Sequence, residues 1–325
     1  MYIKTATLDD LLRIVFSKLL RSQTRPTPSR GPNTELSGVL LHLTDARARL
    51  SRTQTRGRLF SALGELCWYL SKTDSLSFIS YYVRRYNEES DDHRTVYGGY
   101  GPRLFNMRGH NQVANVISLL KTNSHSRRAV IQLFDATDLA EKHKNIPCTC
   151  TLQFLIRDNR LLMFTSMRSN DAFLGLPHDI FAFTMLQEII ARTLSIEPGA
   201  YKHAVGSLHL YDTDRAGAKQ YLVEGWQSTV PMPPMPAIDP WPSIKVVLRA
   251  ESALRRGRTV RLRALNLNPY WADIVRLLQI YRHFHDKQLG QITELKRKMS
   301  VVAYRPYIED KQHAVGRRRT ASNPE

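Results

Sequence analysis

The chain has 325 residues, 42% of them hydrophobic and 9% aromatic, which is an ordinary composition for a globular protein with a full core. No apolar run approaches the roughly 20 residues that span a bilayer, and the N-terminus lacks a secretory signal, so we expect a cytoplasmic protein. The net charge of +18 is scattered in blocks typical of solvated helix faces, so we consider a nucleic-acid partner unlikely.

The first predicted elements are a helix, a loop and a strand. Residues 7–20 have the apolar spacing of an amphipathic helix and begin with a capping pattern at Thr7. Three prolines mark residues 24–32 as a loop, and this loop contains Arg30. Residues 36–43 predict a strand.

The next predicted helix, residues 58–69, contains one carboxylate in an otherwise apolar run. This residue, Glu65, has only apolar or small neighbours from Ala62 to Trp68. A buried carboxylate costs on the order of several kcal/mol unless it has partners or a function. We therefore favour a functional role for Glu65 over the alternative of a surface charge on an amphipathic helix.

The chain then continues through a helix over residues 76–86 and a charged loop over residues 87–95. A glycine-rich turn follows at residues 97–103 and begins with Tyr97. Its glycines fit neither the dinucleotide-binding fingerprint nor a P-loop. The alternative is that they only allow the backbone to turn and have no functional role. Residues 112–120 predict an amphipathic helix.

The middle of the chain contains the densest set of reactive side chains. Two alternating apolar and β-branched runs, 151–156 and 161–167, are joined by Asp158-Asn159, which predicts a hairpin. The open end of this hairpin would bring Cys148 close to the polar cluster at residues 168–171. A nucleophile candidate, a cation and carboxylates within one short segment indicate an active site.

The three cysteines have different predicted roles. They form neither an even disulfide framework nor a CxxC metal pair, so we expect no metal ion. The simplest interpretation is one reactive thiol, Cys148, beside the inert Cys67 and Cys150.

The C-terminal half is predicted to begin with a long apolar helix from Asp179 to Leu194. Residues 201–211 then predict a strand that places His209 and Tyr211 on one face, because side chains alternate along a strand. The remaining elements are a proline-rich ordered loop at 230–242, helices at 269–287 and 290–299, and a basic tail at 314–325. We expect this tail to be disordered and residues 1–313 to form a single catalytic domain.

Several ordered motifs resemble the thymidylate synthase family. They are Pro147-Cys148, the Arg168–Pro177 turn with the sequence Arg-Ser-Asn-Asp-Ala-Phe-Leu-Gly-Leu-Pro, and the pair His209-x-Tyr211. The segment 64–70, Gly-Glu-Leu-Cys-Trp-Tyr-Leu, is similar to another motif of the family. Individual residues within these motifs resemble the cytidylate 5-hydroxymethylase branch of the family, with Asp179 where the synthases have Asn.

This resemblance implies an α+β fold with three layers and one large mixed sheet, with the sheets of two subunits stacking in a homodimer. It implies C5 hydroxymethylation of CMP or dCMP, with 5,10-methylenetetrahydrofolate as co-substrate and no metal. We lean to CMP, as in nucleoside-antibiotic pathways. The first alternative is a thymidylate synthase that methylates dUMP, and the second is a basic nucleic-acid-binding protein on a degenerate scaffold.

The resemblance also implies roles for individual residues. Cys148 would be the nucleophile, and Glu65 and Tyr97 would organise proton transfer. Arg127 and Arg128 would reach the phosphate in the neighbouring subunit's site, because guanidinium forks pair two N–H groups with two oxygens. The expected substrate-binding residues are Arg30, Arg127, Arg128, Arg168, Ser169, Asn170, Asp171, Asp179, His209 and Tyr211. Asp171 would also contact the folate.

Asp179 is predicted to read the pyrimidine base. Uracil presents an O4 acceptor and an N3–H donor, which an Asn amide satisfies. Cytosine presents an N4 amino donor and an N3 acceptor, which a carboxyl group with one shared proton satisfies. The alternative is that Asp179 is a helix N-cap.

Overall fold

The computed structural model describes residues 1–28, 30–53, 55, 57–226 and 230–321. Within this part, six strands form one mixed sheet in the order β1-β2-β6-β5-β4-β3. The strands are β1 (Tyr2–Thr5), β2 (Asn33–Leu43), β3 (Val130–Gln132), β4 (Thr149–Arg157), β5 (Arg160–Asp171) and β6 (Glu197–Tyr211). Two neighbouring pairs, β1 with β2 and β5 with β6, are parallel, and the others are antiparallel. The prediction of an α+β fold with one large mixed sheet is confirmed.

The described residues also form twelve α-helices. They are α1 (Leu8–Arg21), α2 (Leu59–Leu70), α3 (Leu76–Tyr82), α4 (Tyr86–Glu89), α5 (Tyr100–Phe105), α6 (Gln112–Thr122), α7 (Leu176–Thr193), α8 (Arg215–Val223), α9 (Trp241–Arg255), α10 (Pro269–His285), α11 (Leu289–Arg297) and α12 (Arg305–Ala321). None of these helices combines the length and apolar character that a membrane span requires.

The predicted hairpin forms between β4 and β5. Arg157 pairs with Arg160, so the turn consists of Asp158 and Asn159. Both turn residues have positive φ, 49° and 52°, which Asn and Asp tolerate better than other residues. A register shift between Thr149 and Thr151 marks a bulge beside Cys148. Bulges re-aim side chains next to functional sites, and this one lies at the open end of the hairpin.

Two buried helices carry the candidate carboxylates: α7 packs against β5 and β6, and α2 packs against α7. All residues of α2 except Ser61 are buried, and α7 is buried along almost its whole length. A Cβ atom on Gly64 would lie 2.1 Å from the ring of Tyr82, so only glycine allows α3 to approach this closely. This close packing determines where the next residue, Glu65, lies.

One predicted helix is shorter in the structure. The helix expected over residues 76–86 ends at Tyr82, because the hydroxyl of Tyr281 donates to the carbonyl oxygens of Tyr81 and Tyr82 that a continuing helix would use. Helix α12 extends to Ala321 and so enters the tail at 314–325, whose disorder stays a prediction. Residues 322–325 lie outside the described residues.

Candidate active site

Cys148 lies immediately before β4, where Arg168 of the neighbouring strand holds it. The guanidinium group of Arg168 donates to the carbonyl oxygens of Pro147, at 2.9 Å, and Ile146, at 3.2 Å. One of its nitrogens, Nη2, is 3.7 Å from the Cys148 Sγ atom. Arg168 therefore positions the cysteine loop and contacts the thiol.

The electrostatics of Cys148 have two opposing causes. Burial raises the pKa of the thiol above its ordinary value, and the positive charge of Arg168 acts against this effect. Arg168 therefore favours the thiolate, but burial is the larger effect, so the pKa of Cys148 is raised in the free protein. Burial also raises the pKa of Cys67 well above its ordinary value, which agrees with an inert structural thiol.

Glu65 is buried and accepts two hydrogen bonds from tyrosines. Its Oε1 atom accepts from the hydroxyls of Tyr69, at 3.0 Å, and Tyr86, at 2.7 Å. Burial raises the pKa of Glu65, although both phenols act in the opposite direction. The alternative of a surface charge is therefore wrong, and a carboxyl group with a raised pKa is suited to proton transfer.

Asp179 lies in the first turn of α7 but does not cap the helix. The N-cap residue is Gly175, and the backbone N–H of Asp179 donates to its carbonyl oxygen at 3.0 Å. The side chain of Asp179 instead accepts a hydrogen bond from Asn170 Nδ2 at 2.6 Å. Burial, followed by the charge of Glu65, raises the pKa of Asp179 well above its ordinary value, which favours the neutral carboxylic acid.

The structure brings Tyr100, rather than Tyr97, into contact with the candidate site. The Tyr100 hydroxyl lies 2.9 Å from Thr149 Oγ1 and accepts a hydrogen bond from the Thr149 backbone N–H. The ring of Tyr97 stacks on His143 at a centroid distance of 3.5 Å and lies under Arg103. No described contact joins Tyr97 to Glu65, and its role in proton transfer stays a prediction.

The loop residue Arg30 approaches the site and pairs with a carboxylate that the sequence analysis did not identify. Its guanidinium group lies 3.0 Å from Glu89, whose side chain also accepts a hydrogen bond from Asn145. The charge of Arg30 acts on the thiol of Cys148 and lowers its pKa, so the two side chains face the same region. A nucleotide phosphate at Arg30 would compete with the carboxylate of Glu89.

His209 and Tyr211 lie together at the end of β6, as predicted. Their rings are in edge contact at a centroid distance of 4.9 Å. Burial lowers the pKa of His209, so the neutral imidazole is favoured at neutral pH. Asp171 is the cross-strand partner of His209, and its Oδ1 atom accepts from the backbone N–H groups of Phe173 and Leu174.

No described side-chain contact joins Ser169, Arg127 or Arg128 to the other candidate residues. Ser169 is half-buried on β5 and pairs with Ser207 of β6. Arg127 and Arg128 are exposed just before β3, at the edge of the sheet, and neither makes an ion pair with the described residues. Their exposure leaves them available to a second subunit.

Three tyrosines were missed in the sequence analysis. Tyr69 lies one helical turn after Glu65, so the (i, i+4) spacing was an available signal. Tyr86 reaches Glu65 from α4, which no local spacing indicates. Tyr100 shares its Tyr-Gly pattern with Tyr97, and the sequence contains no signal that separates the two.

Comparison with known proteins decides the family. The sequence model of thymidylate synthase matches residues 41–236, which is more than half of the chain. The chain belongs to the thymidylate synthase family. The predicted family is thus confirmed, and helices α9–α12 lie outside the matched region.

Two similar proteins carry names for different activities within this family. A deoxyuridylate hydroxymethyltransferase from Delftia phage PhiW-14 is 29% identical over 195 residues, which cover 56% of this chain and 54% of the relative. A thymidylate synthase from Francisella philomiragia subsp. philomiragia is 31% identical over 167 residues, which cover 47% of this chain and 61% of the relative. The chain therefore spans less than two thirds of the length of both relatives.

Removal of the Glu65 charge should lower catalytic activity but raise the thermal stability of the protein at neutral pH. We expect Glu65→Gln to lower kcat by about 10²-fold or more, the usual range for loss of a general acid–base group. Because the folded-state pKa of Glu65 is raised, the wild type loses stability as pH rises through the range between its unfolded and folded pKa values. The glutamine variant should therefore have a higher Tm than the wild type at neutral pH, and the difference should shrink in mild acid. Equal Tm values at all pH values would contradict the burial argument.

Proposed function

We propose that this protein is a cytidylate 5-hydroxymethylase that acts on CMP in preference to dCMP, with 5,10-methylenetetrahydrofolate as the one-carbon donor. The observation that carries the proposal is the state of Asp179. Its carboxyl group accepts a hydrogen bond from Asn170 and is held toward the neutral form by burial. It lies within electrostatic range of Cys148, the candidate nucleophile.

A neutral Asp179 matches the hydrogen-bonding edge of cytosine. A carboxylic acid donates one hydrogen bond and accepts another, and cytosine offers an N3 acceptor beside an N4 amino donor. An ionised carboxylate would have only acceptors, so it would leave N3 of cytosine unpaired and would oppose O4 of uracil. The raised pKa of Asp179 therefore supplies the donor that N3 of cytosine requires.

Cys148 supplies the covalent step of the proposed reaction. Its thiolate adds to C6 of the pyrimidine, which makes C5 a carbon nucleophile. After C5 has gained the one-carbon unit and lost its proton, water adds to the new exocyclic carbon and the C6–S bond breaks. The products are the 5-hydroxymethyl nucleotide and tetrahydrofolate. Arg168 assists by contacting the sulfur atom and acting against the effect of burial.

Glu65 is the proposed proton-transfer group. Two tyrosine hydroxyls occupy its Oε1 atom, and Oε2 makes no hydrogen bond with the described residues. This second oxygen is therefore available to a water molecule, either for removal of the C5 proton or for the final hydration. We keep Tyr97 as a candidate from the resemblance, but the geometry favours Tyr86 and Tyr69 as the groups that orient Glu65.

The residues around Asp171 fit the expected co-substrate. Members of the thymidylate synthase family use methylenetetrahydrofolate, which supplies an electrophilic one-carbon unit. Two backbone N–H groups hold Oδ1 of Asp171, and Oδ2 makes no hydrogen bond with the described residues. This oxygen can accept from N–H groups of a pterin ring, which agrees with the proposed folate contact.

The main alternative is a uridylate substrate. The relative from phage PhiW-14 is named for deoxyuridylate and hydroxymethyl transfer, and the Francisella relative is named a thymidylate synthase. Turnover of CMP, dCMP, UMP and dUMP with methylenetetrahydrofolate, with products identified by mass, tests the proposal directly. A methylated dUMP product would support the synthase. Salt-sensitive retention on nucleic acid without any turnover would support the binding protein.

We also propose that the active sites are shared across a homodimer. Cys148→Ala should inactivate its own site, and the double variant Arg127→Ala/Arg128→Ala should inactivate the partner's site. Mixing the two inactive proteins should then restore roughly a quarter of wild-type activity, because half of the dimers are mixed and each has one intact site. No recovery after demonstrated subunit exchange would contradict the shared site.

A further inference from the structure

One buried side chain of the site, that of Asn170, donates a hydrogen bond to another side chain of the site, that of Asp179. Asn170 lies on β5 and is 3% exposed. Its Nδ2 atom donates to Asp179 Oδ2 at 2.6 Å, whereas its Oδ1 atom is buried without a hydrogen-bond partner among the described residues. A buried acceptor without a partner costs about 1–3 kcal/mol. Asn170 is therefore a poor choice for stability, and its one side-chain hydrogen bond acts on Asp179.

The pair lies directly over the beginning of α7. A Cβ atom on Gly175 would be 3.4 Å from Asn170 Nδ2 and 3.5 Å from Asp179 Oδ2. Asn170 thus meets Asp179 where the chain turns from β5 into α7, and the contact is confined to one carboxyl oxygen. The other oxygen, Oδ1, makes no hydrogen bond with the described residues and remains available to a ligand.

We propose that Asn170 is a positioning residue that determines which oxygen of Asp179 holds the acidic proton, and thereby makes the site select cytosine over uracil. This inference rests on the proposed function. Because the amide N–H points at Oδ2, that oxygen acts as a hydrogen-bond acceptor, and a protonated oxygen is a poor acceptor. The proton consequently resides on Oδ1, and the carboxyl group presents a fixed order of donor and acceptor.

A fixed order of donor and acceptor on the carboxyl group allows the site to distinguish cytosine from uracil. Cytosine has its acceptor at N3 and its donor at the 4-position, and uracil has the reverse. A neutral carboxyl group that could place its proton on either oxygen would satisfy both bases. Asn170 removes this freedom through its hydrogen bond to Asp179, so the specificity would reside in the pair rather than in Asp179 alone.

The test compares two variants of Asn170 with a matched control. Asn170→Ala removes the donor and frees the proton to occupy either oxygen. Asn170→Asp retains the size but places an acceptor opposite Oδ2, so the shared proton moves to that oxygen. Asn115→Ala changes an exposed asparagine on α6 and controls for the substitution itself.

The first measurement is the ratio of kcat/KM for CMP and UMP. We expect Asn170→Ala to lower this ratio by about 10-fold, mainly through a gain with UMP, and Asn170→Asp to lower it further. The control should leave the ratio unchanged. If the wild type prefers UMP, the proposed function fails, yet a change of the ratio in both variants still supports the role of Asn170. If CMP is preferred and neither variant changes the ratio, the inference is wrong.

The second measurement is the pH dependence of CMP binding in a Cys148→Ala background, where the thiol cannot titrate. The N–H of Asn170 stabilises the ionised carboxylate, so its removal should shift the loss of binding to higher pH. The other titratable groups around Asp179 are common to both proteins: Glu65, Tyr69, Tyr100, Asp171 and Tyr201. A shift to lower pH, or no shift, would overturn the inference. If only one of the variants Asn170→Ala and Asn170→Asp folds, the measurement is made on that variant.

Discussion

Replacement of Cys148 by Ala should abolish turnover, with a loss of kcat greater than about 10³-fold, because no other group in the described site can add covalently to C6. Nucleotide binding should be largely retained. The contacts proposed for the phosphate and base come from other side chains, including Arg30 and Asp179. The measurement is single-turnover product formation together with calorimetric binding of CMP.

The control for this prediction is Cys150→Ala, which removes a half-buried thiol two residues away on β4. It should retain activity, because in the described contacts the guanidinium group of Arg168 reaches the sulfur atom of Cys148 and not that of Cys150. More than a few per cent of wild-type kcat in Cys148→Ala would reject the nucleophile assignment. Loss of activity in both variants would indicate a structural effect of the bulge instead.

Asp179→Asn should reverse the base preference. The substitution preserves the size of the side chain but replaces one oxygen by a donor NH2 group. The new NH2 group can replace Oδ2 if the Asn170 amide rotates, so that Asn170 Oδ1, which has no partner among the described residues, accepts from it. In that orientation the amide donates to O4 of uracil and accepts from N3–H, whereas cytosine loses the shared proton at N3. The ratio of kcat/KM for cytidylate and uridylate should therefore change by at least about 10²-fold, or about 2.7 kcal/mol.

The measurement uses both nucleotides with matched sugars on the wild type and the variant. Asp286→Asn is a suitable control, because Asp286 is exposed and makes only a surface ion pair with Arg282. If Asp179→Asn lowers kcat/KM for both nucleotides equally, Asp179 is a general catalytic or structural group and does not read the base.

Much of the fold and of the site could be predicted because its signals are local. The apolar alternation on both sides of Asp158-Asn159 predicted the β4–β5 hairpin, and the turn adopts the required positive φ values. The order of Cys148, the Arg168–Asp171 cluster and Asp179 indicated the family, which the comparison confirmed. The isolated carboxylate of Glu65 in an apolar run predicted its burial, because a charge rarely lies among core residues without a function.

Only the tertiary structure decided which side chains meet. Glu65 accepts from Tyr86, 21 residues away, and Arg30 pairs with Glu89, and both contacts depend on where α4 packs. The choice of Tyr100 over Tyr97 depends on the direction of two side chains in one turn, and a motif does not encode that direction. The pKa of Cys148 also required the structure, since burial and the charge of Arg168 act in opposite directions. Sequence patterns determine which elements form, whereas contacts between distant elements determine the protonation and orientation of the reactive groups.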